Sequence, residues 1–105
     1  MRTKEERTNI KKDLMIKQGC CCYKCGTNLM GLPQGMAHFH HVNSEDKTAN
    51  LADMIIRDRL YSLEDIIAEN EKVILMCAGC HMALHRVYGR KVTEDNTVDF
   101  LFDFL

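Results

Sequence analysis

Two C-x-x-C pairs, Cys22/Cys25 and Cys77/Cys80, constrain this 105-residue chain more than any other feature. A two-residue gap lets a pair of thiolates grip one tetrahedral zinc ion, and two such pairs complete a four-sulfur site closed to water. Residues 26–76 lie between the pairs, more than a zinc ribbon needs, so a whole subdomain must loop out between the knuckles. A chain of this length buries only about 65% of its unfolded surface, and a metal staple usefully supplements so small a core. Two other readings stay open: unrelated buried thiols, or a redox pair, although neither pair sits in a thioredoxin-like context. Cys20 and Cys21 are left over, and Cys21 could stand in for Cys22.

Four sulfurs fill a zinc site, so the histidines need a separate account. His81 and His85 are four residues apart in a segment expected to be helical, which places both imidazoles on one helix face. His40 and His41 end an alternating segment, where a third ligand could meet the helical pair. Three protein ligands with open positions are the pattern of a catalytic metal site. The plainer alternative is a set of surface histidines with ordinary hydrogen bonds.

Around these groups the pattern predicts an α+β domain. Thr3–Glu6 has the form of a capping box and Gly19 closes the segment, so residues 1–19 read as an N-terminal helix. Met36–Val42 alternates as a short strand, and Gly31–Gly35 before it reads as a loop. Leu51, Met54 and Ile55 recur at helical spacing, and Ser62 opens a second short helix. Val73–Met76 is a buried strand running into the second knuckle, followed by a helix over His81–Tyr88 that Gly89 ends. Residues 90–105 form an acidic and apolar tail, expected to be helical with Val98, Leu101, Phe102 and Leu105 along one stripe. That stripe would pack on the domain, on a second copy in a homodimer, or on a protein partner.

The net charge of −1 argues against a protein that simply coats nucleic acid, although the basic N-terminal segment and the acidic tail are segregated. The polar N-terminus does not resemble a signal peptide, and no apolar run approaches a membrane span. The expectation is a soluble cytoplasmic protein with no membrane contact, whose cysteines are ligands rather than disulfides.

The segments FHHVNSEDKTANLADMI (Phe39–Ile55) and YSLEDIIAENEKVILMCAGCHMALH (Tyr61–His85) closely resemble the HNH endonucleases, particularly the small phage and bacterial type with paired C-x-x-C knuckles. The ordered combination of C-x-x-C, His-His and C-x-x-C-H-x-x-x-H over residues 22–88 carries the resemblance. It implies a ββα-metal (His-Me finger) domain at residues 20–89 inside a zinc-stabilised treble clef, with flanking helices. It also implies metal-dependent hydrolysis of phosphodiester bonds in DNA, with His40 a metal ligand, His41 the general base, His81 the closing ligand and His85 an additional one. The sequence departs from the family at its middle asparagine, where Lys72 stands; Asn50 and Asn70 are the candidates to replace it. Lys72, Arg86, Arg90 and Lys91 flank the closing helix as candidate phosphate contacts. Expected cofactors are a structural zinc ion and a second divalent ion (manganese, nickel, magnesium or zinc). An all-imidazole site favours transition ions over magnesium. The rival reading is a non-catalytic zinc module that binds nucleic acid or a protein partner.

Overall fold

The chain begins with α1, Lys4–Lys17, because Thr3 and Glu6 cap it reciprocally: Glu6 N–H donates to the Thr3 hydroxyl and Thr3 N–H to the Glu6 carboxylate. The computed structural model describes residues 2–102. After α1 come β1 (Ala37–His41), α2 (Leu51–Ile56), α3 (Leu63–Asn70), β2 (Val73–Cys77), α4 (Ala78–Tyr88) and α5 (Glu94–Phe102). Short 3₁₀ turns at Gln34–Met36 and Ser44–Asp46 flank β1, the first of them within the expected loop and strand start. The result is a small α+β fold with five α-helices and one two-stranded sheet among the described residues. No helix among them is long and apolar enough to cross a membrane.

β1 and β2 pair antiparallel, with His41 opposite Val73, His40 opposite Ile74 and Ala37 opposite Cys77. The run Val73–Met76 is buried throughout because both faces of β2 are covered, which is why it lacks polar alternation. One core cluster gathers Met15, Leu29, Leu75, Leu84, Val92 and Phe100, and a second gathers Leu14, Leu51, Met54, Ile55 and Ile66. Phe39 packs against both and joins them across β1.

The direction of α4 decides what the sheet is for. β2 carries the chain away from His40 toward the second knuckle, about 10 Å over the three residues from Ile74 to Cys77. α4 then reverses, and at about 1.5 Å per residue it returns His81 and His85 to the level of His40. The helix begins three residues earlier than the histidine spacing alone suggests, because Cys77 caps it: Cys80 N–H donates to the Cys77 sulfur at 3.4 Å.

The C-terminal segment differs from its sequence reading. Thr97 and Phe100 face the core, while Val98 and Phe102 are exposed, so the expected stripe through Val98, Leu101 and Phe102 is rotated. A polar side chain, Thr97, holds the buried face through hydrogen bonds to the Val42 and Thr93 carbonyls, at 2.9 and 3.1 Å, and hydrophobicity alone cannot find such a position. Lys24 anchors the same helix, donating to the Phe100 and Leu101 carbonyls. Phe104 and Leu105 lie outside the described residues.

Candidate metal centres

The first knuckle turns tightly because Gly26 takes a positive φ of 78°, letting its N–H donate to the Cys22 carbonyl at 2.9 Å. The second is the junction of β2 and α4. Together they bring one sulfur each from Cys22, Cys25, Cys77 and Cys80 within 4.8 Å of one another. The Cys25 and Cys77 sulfurs are 3.8 Å apart, close to the edge of about 3.8 Å expected when four sulfurs surround zinc at 2.3 Å. Cys22 is therefore the knuckle ligand, and Cys20 and Cys21 fall outside the group. The thiols are electrostatically unequal. Thr27 hydrogen bonds hold Cys25 down at about 6, whereas burial, with the neighbouring sulfurs, pushes Cys77 and Cys80 up. Four thiolates this close repel one another, and a divalent cation is what makes their common ionisation favourable. The four cysteines form a group suited to zinc.

The second group is His40, His81 and His85, each with one ring nitrogen within 4.8 Å of the others. Alternation along β1 puts His38 and His40 on one face, toward α4, and Phe39 and His41 on the other. Ring centroids of His40 lie 5.2 Å from His81 and 5.4 Å from His85. The outer nitrogen of each ring is occupied, and its partner fixes the tautomer. His85 Nδ1–H donates to the Gly89 carbonyl at 2.8 Å, which Gly89 can present because its φ is 83°. His38 Nε2–H donates to the Gly35 carbonyl at 3.1 Å, so His38 Nδ1 accepts from His81 Nδ1–H at 3.0 Å. The proton of the Thr97 hydroxyl goes to a backbone carbonyl, so the oxygen accepts from His40 Nε2–H at 3.2 Å.

Those three assignments leave His40 Nδ1, His81 Nε2 and His85 Nε2 with lone pairs. The last two face each other at 3.0 Å. Two lone pairs at that distance repel unless a cation lies between them; nitrogens on a tetrahedral ion are about 3.3 Å apart. The donor set thus fits a transition metal, with each ligand oriented from behind in the usual manner of metal-binding histidines. Burial, reinforced by the neighbouring imidazoles, pulls His40 down to about 3 and His81 down to about 4, which keeps both in the ligating neutral form.

His40, His41, Asn50, His81, His85 and Arg90 line one cleft of about 120 Å³. Lys47 also lines it, a basic residue that the sequence reading did not single out. Asn50 precedes α2 without capping it through its side chain. Arg86 and Lys91 are exposed but stand outside the cleft lining. Lys72 stands outside it as well: its ammonium reaches the Glu69 carboxylate at 3.0 Å, the Asp46 carbonyl at 3.1 Å and the Thr48 hydroxyl at 3.4 Å. Asn70, the other candidate amide, is tied to Gln18, which caps the end of α1.

Besides Lys47, three residues of the site escaped the sequence reading. His38 had a usable signal, since alternation puts it on the face of His40. Glu69 occupies a core-facing position of α3 beside Ile66 and Asn70, and its carboxylate accepts from His41 Nε2–H at 2.8 Å. Burial pushes the Glu69 carboxyl up, but the Thr48 N–H, the Lys72 ammonium and His41 outweigh it and hold the group at about 2. Thr97 gave no signal, because its role depends on where α5 docks.

No family model, no curated protein and no solved structure matches this chain.

Proposed function

We propose that this chain is a metal-dependent endonuclease of the HNH type that hydrolyses phosphodiester bonds in DNA. One observation carries the reading: His40, His81 and His85 bring one ring nitrogen each within 4.8 Å of one another, in the same cleft that a fourth histidine, His41, lines. The topology supports it: β1 pairs antiparallel with β2, α2 and α3 are inserted between them, and β2 leads directly into the helix that returns His81 and His85 to His40. The four-cysteine group supports it too, joining the N-terminal knuckle to the start of that helix in the manner of a treble clef with structural zinc.

In this reading His41 accepts a proton from the water that attacks phosphorus, acting as the general base. A divalent ion on His40, His81 and His85 supplies stabilisation of the charge that develops on the phosphate and leaving oxygen. Arg90 and Lys47, at the cleft wall, position the backbone phosphates. Lys72 ties the Asp46–Thr48 turn to Glu69 and so braces the loop that follows the base, the task the resemblance gives to an asparagine.

The test is relaxation of supercoiled plasmid by zinc-loaded protein with manganese, nickel, magnesium or zinc added. Cleavage is expected with manganese or nickel at lower concentration than magnesium, and excess zinc should inhibit. His41→Ala should lower the rate by about 10²- to 10⁴-fold with both metal groups still loaded. A wild-type protein inert with every ion would leave the non-catalytic zinc module as the surviving reading.

A further inference from the structure

Glu69 is 2% exposed and sits behind His41, and nothing in the reading so far uses its charge. A carboxylate is seldom buried to that degree unless it is paired and hydrogen-bonded. Here one oxygen accepts from both Thr48 N–H and His41 Nε2–H, at 2.8 Å each, and the other meets the Lys72 ammonium at 3.0 Å. Three segments therefore converge on one side chain of α3: the end of β1, the loop after it, and the turn between α3 and β2.

We infer that Glu69 is the positioning residue of the site, fixing the tautomer and orientation of His41 so that Nδ1 carries the lone pair that works in the cleft. The inference rests on the nuclease reading for its catalytic part. The carboxylate can only accept, so the shared proton belongs to His41 Nε2, and the neutral ring keeps its lone pair on Nδ1. With the ring plane held from behind, Nδ1 does not exchange roles with Nε2 by a ring flip. When Nδ1 takes a proton from water, hydroxide is delivered to phosphorus and the resulting imidazolium stays paired with Glu69. The P–O3′ bond breaks, the departing 3′ oxygen takes up a proton from solvent water, the proton on Nδ1 is released to solvent in turn, and Glu69 itself stays ionised throughout. Lys72 balances the charge of Glu69 while the imidazole is neutral, which accounts for a lysine where the family has an amide.

The experiment compares wild type, Glu69→Gln, Glu69→Gln/Lys72→Met, His41→Ala and His41→Ala/Glu69→Gln, all zinc-loaded. The second variant removes both charges together, so the comparison stands even if the single substitution leaves the half-exposed Lys72 ammonium without its carboxylate. Two measurements are made. Long-range proton–nitrogen correlation spectra of the imidazoles should show His41 as the Nε2–H tautomer in wild type and as a mixture in both Glu69 variants. This readout needs no activity, so it stands even if the nuclease reading fails. In the plasmid assay, kcat should fall at least about 10-fold with KM and nickel affinity nearly unchanged. Adding Glu69→Gln to His41→Ala should then cost nothing more, because a residue that acts through His41 has nothing left to position. A wild-type His41 carrying its proton on Nδ1 would overturn the inference. So would a folded Glu69 variant that cleaves at the wild-type rate, or a further loss in the His41→Ala background.

Discussion

Replacing Thr97 by valine removes one oxygen atom, keeps the side-chain shape, and tests whether α5 belongs to the metal site. Thr97 is 1% exposed and His40 is 3% exposed, so no water takes over the hydrogen bond that the hydroxyl accepts from His40 Nε2–H at 3.2 Å. An unpaired N–H in such a place costs about 1–3 kcal/mol. The imidazole has one escape, which is to carry its proton on Nδ1 instead. That shift removes the lone pair directed at His81 and His85, so a metal must then displace a proton to bind. The shift avoids the unpaired N–H in the metal-free protein, so the cost falls on metal affinity, and losses of this kind run to about 10- to 100-fold, or about 1.4–2.7 kcal/mol.

The assay is a calorimetric titration of nickel into zinc-loaded protein, with the four-cysteine group already filled and serving as an internal standard. Thr97→Ser retains the hydroxyl and loses a methyl group, so it should cost some stability but bind nickel nearly as wild type does. Equal affinity of Thr97→Val and wild type would refute the tautomer argument. Thr97→Ser weakening as much as Thr97→Val would refute it too, by showing that packing rather than the hydroxyl is at stake.

Two further outcomes follow from the same geometry. One tightly held zinc per chain should survive mild chelation, and Cys25→Ser or Cys80→Ser should yield zinc-free, unfolded protein, because a four-thiolate site contributes directly to folding free energy; a well-folded zinc-free chain would contradict this. Stability should also fall on acidification. His40 and His81 are held at about 3 and about 4, below their ordinary 6.5, so between those values the unfolded chain binds more protons than the folded one. The stability they allow is present above about pH 6.5 and is lost as the pH drops toward 4, and a melting temperature flat from pH 7 to pH 4 would contradict the assignment.

The local chemistry was legible wherever neighbours along the chain interact. The Thr3/Glu6 cap, the glycine turn at Gly26 and the four-residue spacing of His81 and His85 all report contacts within one turn, and each is found in the structure. Element ends were less legible. The strand expected over Met36–Val42 is Ala37–His41, and α4 starts at Ala78, because a cysteine sulfur serves as its cap. The C-terminal stripe was misjudged for a related reason. Apolar spacing assumed that hydrophobic side chains choose the buried face, and a threonine with two backbone partners chose it instead.

From the sequence alone came the ligand types and their number: four cysteines in two pairs, and histidines placed to pair along a helix and at the end of a strand. Those are set by covalent spacing, which fixes how far apart two side chains can be before any folding occurs. Tertiary structure alone decided which nitrogen of each ring is free and which residue stands behind it. Thr97 reaches His40 across 57 positions, His38 reaches His81 across 43, and Glu69 reaches His41 across 28. A hydrogen bond depends on ångström-level position and direction, and over such separations both come from how β1, α3, α4 and α5 pack against one another.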